Sequence, residues 1–204
     1  MELKPTAYVI LGILAIHPNQ SGYEIRKTVQ QSVGFFWGES YGQIYPTLKL
    51  LAAQGLIEPS SSSPGKRSTS QEYSITPAGE QCLKEWLAVP YRDTPPRDEF
   101  LLKLFFGNEA GAKVTAAHVR AYQERARRML ATLLELEKLG RAGSSHYPGF
   151  PFWIMTLQFG VGQLRAALEW CQAALQMLDA KTASEATLEE GHSPAAATPS
   201  EPTF

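Results

Sequence analysis

The chain has 204 residues, 44% of them hydrophobic, and a formal net charge of −1 at pH 7. This size and composition suit one large or two small globular domains and exclude a mostly disordered chain. The near-zero charge excludes a protein that coats polyanions through its overall charge, so any nucleic-acid binding must come from a local patch.

Neither a membrane anchor nor a secretory leader is expected. The apolar run of residues 7–16 is about half the roughly 20 residues that a spanning helix needs. Glu2 cancels Lys4 where a signal peptide would be positive. Cys82 and Cys171 lie in apolar helical contexts without a CxxC spacing. We expect both to be buried free thiols in a reducing cytoplasm, rather than disulfide or metal ligands.

The first part of the chain alternates helical patterns with clear stops. Thr6 can cap a first helix, which has to end before Pro18. Ser21 and Glu24 have the spacing of a capping box and predict the start of a second helix. Gly34 is placed to end that helix in a left-handed conformation.

A third helix is predicted between residues 41 and 57, and it contains a proline near its start. A proline in a helix interior costs roughly 3 kcal/mol. The first four backbone N–H groups of a helix have no internal partner, however, so a proline in the first turn costs little. A start near Gly42 or Gln43 places Pro46 at or just beyond that turn. We predict that this helix ends at Gly55.

The leading end of the third helix carries polar side chains that can bind phosphates and base edges. Its N-terminus adds the positive end of the helix dipole. A recognition helix meets the major groove of DNA with such an end. The alternative is a proline-kinked core helix whose polar residues are only solvated. The candidate contacts are Ser40, Tyr41, Gln43, Tyr45 and Thr47.

A β-hairpin and a fourth helix follow. The short extended segments LIEP and QEYSI flank a polar loop rich in Ser, Gly and Pro. The loop carries Lys66 and Arg67, which either contact phosphates or are simply solvated. Thr76 and Pro77 predict an N-cap with proline at the first helical position. Three helices, a hairpin and a helix are the parts of a winged helix-turn-helix domain, here residues 1–88.

A proline-rich linker, residues 89–97, separates this domain from a helical region over 98–180. That region begins with a short apolar helix, and a long helix follows from about 112 to 139 with a heptad-spaced apolar stripe. A last helix runs from about 152 to 179. Residues 181–204 lack periodicity and are rich in Ala, Ser, Thr, Pro and Glu, so we expect a disordered tail.

The last helix is apolar on two sides, so both sides need cover. Only one long helix of the same chain is available to cover it. We therefore predict a homodimer that forms through this helix. The residues predicted for the dimer contact are Trp153, Leu157, Val161, Leu164, Leu168, Cys171 and Leu175.

Taken together, these segments resemble the PadR-like family of bacterial transcriptional regulators over about residues 6–179. The strongest pieces are GYEI (22–25), FFWGESYGQIYPTLKLLAAQGLI (35–57), EYSITPAGEQCLKEWL (72–87) and LQFGVGQLRAALEWCQAAL (157–175). The resemblance implies a mostly α-helical protein with an N-terminal winged helix and a full-length helical C-terminal dimerisation domain. It also implies repression of target genes through double-stranded DNA with a roughly palindromic operator sequence.

The resemblance further implies roles for individual residues. The implied DNA contacts are Tyr23 at the start of the second helix, Gln43, Tyr45 and Lys49 in the recognition helix, and Lys66 and Arg67 in the wing. Family members often carry a cation after the recognition-helix lysine and an acid two positions later, whereas this chain has Leu50 and Ala52. The missing cation removes one possible phosphate contact and predicts a weaker dependence of binding on salt.

The family is named for a response to phenolic acids, which makes a small aromatic effector an implication of the resemblance. The aromatic residues that could line its pocket, between domains or subunits, are Phe105, Phe106, Phe152, Trp153 and Trp170. Arg97, Lys103 or Arg165 could neutralise a carboxylate there. Aromatic residues at helical spacing are also ordinary core residues, so both interpretations stay open.

Enzyme chemistry is not indicated. The sequence has no Gly-rich phosphate loop, no nucleophile elbow and no paired carboxylates on a shared face. Its four histidines are scattered and give no metal-ligand spacing. We therefore predict no catalytic residue, cofactor or metal. The alternative functions are a winged-helix module that binds protein, and a regulator or activator that works without a ligand.

Overall fold

A computed structural model of the chain describes residues 3–37, 41–60, 71–91, 97–143 and 146–190. It divides into two units, Met1–Thr94 and Pro95–Phe204. The division falls within the predicted linker, residues 89–97. Both units are mainly helical, and the first also holds a small antiparallel sheet.

In its described residues, the first unit combines four helices with three short strands. In chain order these are α1 (Pro5–Ile16), β1 (Gln20–Ser21), α2 (Gly22–Gln31), α3 (Ile44–Ala53), β2 (Ile57–Pro59), β3 (Glu72–Ile75) and α4 (Pro77–Ala88). Two 3-10 turns, Val33–Phe35 and Tyr41–Gln43, lie between α2 and α3. The strands pair antiparallel in the order β1-β3-β2. The hairpin of β2 and β3 was predicted, whereas β1 was not, because two residues are too few to show a pattern.

The first helix starts earlier than the sequence predicted. Pro5 is its first residue, and Lys4 is the N-cap but makes no side-chain capping bond. The fixed φ of proline suits the first helical position, where a missing N–H costs nothing. Thr6, the predicted cap, is buried inside the first turn instead.

The predicted capping box at the start of α2 is confirmed. The Glu24 N–H donates to Ser21 Oγ at 3.3 Å, and the Ser21 N–H donates to Glu24 Oε2 at 2.8 Å. The predicted end of this helix is wrong, because α2 ends at Gln31 and the chain continues in a 3-10 turn. Gly34 lies in that turn without a positive φ.

Helices α1, α2 and α3 share one hydrophobic core. Each contributes an apolar face, and β2 adds one residue from the wing side. The fully covered residues of this core are Ala7, Ile10, Leu11, Ile13, Leu14, Ile25, Val29, Ile44, Leu48, Leu51 and Ile57. The stacked rings of Tyr8 and Trp86, 4.5 Å apart at their centroids, extend the packing of α1 to α4.

Helix α3 ends in a Schellman motif, as the glycine after it predicts. Gly55 has a φ of +69°, a conformation that side chains with a Cβ rarely adopt. The Gly55 N–H donates to the Ala52 carbonyl and the Leu56 N–H donates to the Leu51 carbonyl, both at 3.0 Å. The chain therefore turns sharply from α3 into β2.

The backbone of Leu56 joins this turn to the start of α4. Its carbonyl accepts the Thr76 N–H at 3.1 Å. The Thr76 hydroxyl donates to the Gly55 carbonyl at 2.7 Å and accepts the Gly79 N–H at 3.1 Å, which confirms Thr76 as a helix cap. A Cβ on Gly79 would lie 2.1 Å from the Leu56 oxygen, so only glycine fits there.

The second unit consists of helices. They are α5 (Glu99–Phe105), α6 (Gly107–Ala110), α7 (Ala112–Gly143) and α8 (Phe150–Glu190). Asp98 caps α5 by accepting the backbone N–H groups of Phe100 and Leu101. Within the described residues, no helix is long and apolar enough to cross a membrane.

Helices α7 and α8 pack along each other as an antiparallel pair. Glu137 accepts a hydrogen bond from Gln158 at one end, and Arg120 lies 3.6 Å from Asp179 at the other. Cys171 of α8 is fully buried between them, and burial raises the pKa of its thiol. The heptad stripe predicted on α7 supplies the opposite side of the contact through its buried residues Val119, Ala126 and Leu133.

Helix α8 is longer than predicted. Residues 181–190 were expected in a disordered tail, whereas they continue the helix to Glu190. This segment contains no glycine or proline, the two residues that disfavour a helix most strongly. Residues 191–204 lie outside the described part of the chain.

Candidate nucleic-acid interface

Helix α3 presents a buried side and an exposed polar side, and its proline lies in the first turn. Ile44 is the first helical residue, so Pro46 is the third, where its missing N–H costs little. The inward side consists of Ile44, Leu48 and Leu51. The exposed residues at the leading end and along the outer side are Gln43, Tyr45, Pro46, Lys49 and Leu50, with Thr47 half-buried.

The starts of α2 and α3 lie next to each other. The Tyr45 ring packs over Gly22, the first residue of α2, and is still 56% exposed. Tyr23, the second residue of α2, is 67% exposed. Two phenol side chains thus project beside two helix N-termini, which are favourable positions for phosphate.

Helix α2 adds cations that the sequence interpretation did not include. Arg26 and Lys27 are both exposed. Lys27 comes four residues after Tyr23, so the two lie on the same side of α2. The four-residue spacing could have indicated this shared side from the sequence, but such spacings are too common on helix surfaces to identify a binding site.

The base of the wing is tied to the turn between α1 and α2. Asn19 has a φ of 60°, an uncommon conformation for a residue other than glycine. Its Oδ1 accepts the hydroxyl of Ser60, just after β2, at 2.6 Å and the hydroxyl of Ser74, in β3, at 2.8 Å. The two hydroxyls are themselves 2.9 Å apart. One amide oxygen therefore holds both wing strands, a contact that no sequence pattern revealed.

Several predicted contacts lie outside the described residues. Ser40, Lys66 and Arg67 are among them, so their roles stay predictions. Tyr41 begins the 3-10 turn that leads into α3.

The two apolar rows of α8 differ in how far they are exposed within one chain. The row predicted for the dimer faces α7 of the same chain: Val161 and Cys171 are buried, and Trp153, Leu157, Leu164, Leu168 and Leu175 are half-buried. This row is therefore partly occupied within one chain, and its role in a dimer contact stays a prediction. The exposed apolar row comprises Phe152, Met155, Phe159, Trp170 and Met177.

The aromatic residues predicted for an effector site lie at several places in the second unit, and their common pocket stays a prediction. Phe105 and Phe152 are exposed. Trp153 stacks on Tyr147 at 5.3 Å between ring centroids, and Trp170 meets Phe100 edge-on at 5.9 Å.

A groove does open beside α5, α6 and α7, and it has a volume of about 390 Å³. Its lining residues are Leu102, Lys103, Phe106, Ala110, Thr115 and His118. Lys103 pairs with Glu99 at 2.7 Å, and this hydrogen bond and charge hold the pKa of the Glu99 carboxyl below its ordinary value. The groove is apolar, with a cation at its edge.

Two family models match successive parts of the chain. Residues 10–85 match the transcriptional regulator PadR-like family, and residues 96–179 match the virulence activator alpha C-terminal family. The negative transcriptional regulator PadR of Bacillus subtilis (strain 168) is 36% identical over 101 residues, which is 48% of this chain. That alignment spans about half, 54%, of the relative's length. A probable transcriptional regulator of Mycobacterium tuberculosis, Rv1176c, is 25% identical over 79% of this chain and 91% of its own.

Solved structures are similar over both units. Bacillus subtilis PadR in complex with operator DNA has a TM-score of 0.76 at 26% identity, covering 87% of this chain and 99% of its own. The same protein in complex with p-coumaric acid has a TM-score of 0.67, and the match covers 84% of this chain and 99% of that one. The Vibrio cholerae virulence activator AphA has a TM-score of 0.68 at 28% identity, covering 86% and 98%. The expected winged helix with a helical C-terminal domain is thereby confirmed.

Replacing Asn19 tests the tie between the wing and the α1–α2 turn. Asn19→Gly keeps the backbone conformation and loses two hydrogen bonds, so the free energy of unfolding should fall by about 1–2 kcal/mol. In Asn19→Ala the free energy of unfolding should fall by roughly 1 kcal/mol more, because alanine is strained at positive φ. Urea unfolding measures both. Equal stability of the two variants and the parent would contradict this role.

Proposed function

Because this chain belongs to the PadR-like family of transcriptional regulators, we propose that it is a homodimeric repressor that binds a palindromic operator in the cytoplasm. One observation carries the proposal. Helix α3 is anchored by a buried face, while its leading end and outer side present Gln43, Tyr45 and Lys49 to solvent. A recognition helix that reads the major groove needs that division.

The relatives support the sign and the partner of this activity. The Bacillus subtilis relative is described as a negative regulator, and one of its crystal structures contains operator DNA. In our proposal, Lys49, Tyr23 and Lys27 contact phosphates and thereby set the register on the duplex. Gln43 and Tyr45 face base edges. Residues 1–88 carry seven cations and seven anions, so binding depends on where these few groups lie.

Lys49→Ala should weaken operator binding at every sequence and flatten its salt dependence. Each phosphate contact contributes about 0.9 to the slope of log K against log salt concentration, and a dimer makes this contact twice. Fluorescence anisotropy over a salt series should thus show a slope smaller by about two.

The matched control is Lys84→Ala, which removes one exposed cation from α4, where it pairs with Glu80. This control should leave the slope unchanged. If the slope of Lys49→Ala equals that of the parent, Lys49 does not contact phosphate in the complex. If the parent binds a scrambled duplex as tightly as the operator, a protein-binding module is favoured instead.

The dimer is proposed to form through the exposed row of α8 rather than through the row that faces α7. Phe159 and Met177 are 67% and 73% exposed, as large apolar side chains on one helix side. A row of this kind marks an interaction surface. In a two-fold dimer both chains use the same patch, so one substitution changes the contact in two places. The two recognition helices can then enter successive major grooves about 34 Å apart.

Phe159→Glu should break the dimer, because it removes apolar burial of about 1.5–3 kcal/mol per chain and places a charge in an apolar contact. We expect the dimer dissociation constant to rise by at least about 100-fold. Sedimentation equilibrium measures it.

Gln172→Glu introduces the same charge on another, polar side of α8 and should leave the dimer intact. If Phe159→Glu is also dimeric, the exposed row is not the dimer contact.

We further propose that an aromatic acid binds in the groove lined by Leu102, Phe106 and Lys103, and that this binding releases the protein from its operator. The Bacillus subtilis relative has been crystallised with p-coumaric acid, and the groove offers apolar walls with an ammonium group at its edge. The Lys103–Glu99 pair is exposed and closes one helical turn, so it contributes little to stability. An arriving carboxylate can displace it.

Lys103→Met should abolish release by p-coumaric acid while operator binding stays at the parental level. The methyl ester of the acid is the matched control, because it keeps the ring and lacks the charge. It should release the parent protein at least about tenfold less well, which equals roughly 1.4 kcal/mol. Equal release by acid and ester, measured by anisotropy, would place the effector elsewhere.

A further inference from the structure

We propose that Gly22 is a positioning residue for Tyr45. The missing side chain at the first position of α2 leaves the space in which the Tyr45 ring lies. Gly22 thereby sets where the phenol of the recognition helix meets the operator. This inference rests on the proposed DNA contact of Tyr45, and its test includes a measurement made without DNA.

With the Tyr45 ring in its present place, there is no room for a side chain at Gly22. A Cβ on Gly22 would lie 2.6 Å from Cε1 and 3.2 Å from Cδ1 of the Tyr45 ring. It would also lie 3.2 Å from Cδ1 of Leu48. Real carbon atoms that are not bonded essentially never approach within 3.0 Å, so the ring has to move if a side chain is added.

The backbone at Gly22 does not itself require glycine. Its φ is not positive, and it is the first residue of a regular helix. Alanine favours a helix more than glycine does. A glycine here therefore gives up local helix stability, and what it provides is space for the ring.

Neither helix backbone is free to move apart and relieve the clash. Helix α2 is fixed at this end by the Ser21–Glu24 capping box and by Ile25, which is fully buried. Helix α3 is fixed by Leu48 in the core and by the Schellman motif after Ala53. The exposed ring of Tyr45 is the part that can turn to another rotamer.

When the Tyr45 ring is displaced, its hydroxyl moves out of hydrogen-bonding range of the proposed operator contact. An O–H···O bond requires oxygen atoms about 2.5–3.0 Å apart, so a shift of one ångström is enough to lose it. Gly22→Ala should therefore lower operator affinity about as much as Tyr45→Phe, although residue 22 has no side chain that could contact DNA.

The test compares Gly22→Ala with Gly12→Ala, a second helical glycine of the same unit that has nothing within 4 Å of its added Cβ. In the full-length protein labelled with 3-fluorotyrosine, the Tyr45 fluorine resonance is assigned from its loss in Tyr45→Phe. It should shift in Gly22→Ala and stay in place in Gly12→Ala. No DNA is present, so this result is independent of the proposed operator contact.

Operator binding then completes a double-mutant cycle. Gly22→Ala should lower affinity at least about fivefold in the parent protein and not at all in a Tyr45→Ala background, because the ring it displaces is gone. The thermal midpoint should likewise fall only when Tyr45 is present. An unshifted resonance would overturn the proposal. So would an equal loss of affinity or stability in the Tyr45→Ala background, which would assign the effect to Leu48 and the core.

Discussion

The carbonyl of Leu56 is the point at which the recognition helix, the wing and the fourth helix are held together. It follows the left-handed Gly55 that ends α3, and it accepts the Thr76 N–H where β3 leads into α4. Gly79 packs directly on its oxygen. Because these contacts involve backbone atoms, they fix the end of α3 against the strands β2 and β3 at their base. The DNA-binding unit can therefore place a few side chains accurately without a large excess of positive charge.

The leading end of α3 is likewise positioned by close contacts. Pro46 restricts the first turn, and the Tyr45 ring fills the space that Gly22 leaves on α2. Asn19 ties the wing strands to the turn just before α2. The proposed contacts of this charge-poor interface thus depend on glycines and short polar residues that position them. In the second unit, α7 covers one apolar row of α8 and leaves the other row exposed.

Features encoded within a few consecutive residues could be predicted from the sequence, and those that depend on tertiary contacts could not. The Ser21–Glu24 box, the proline in the first turn of α3 and the Thr76–Pro77 cap are local and were all predicted. That the row predicted for the dimer is the one facing α7 could not be foreseen, because a helical wheel shows two apolar sides but not which one α7 covers. Asn19 carries no motif, and its role depends on Ser60 and Ser74, which are distant in sequence.

Hydroxyl-radical footprinting on operator fragments selected from genomic DNA by the purified protein tests the central claim most directly. A dimer that reads DNA with two α3 helices predicts two protected segments, symmetric about a dyad and about 10–10.5 base pairs apart between centres. It also predicts two protomers per site. Protection without a dyad, or no fragment retained over scrambled DNA, would contradict a dimeric operator-binding repressor.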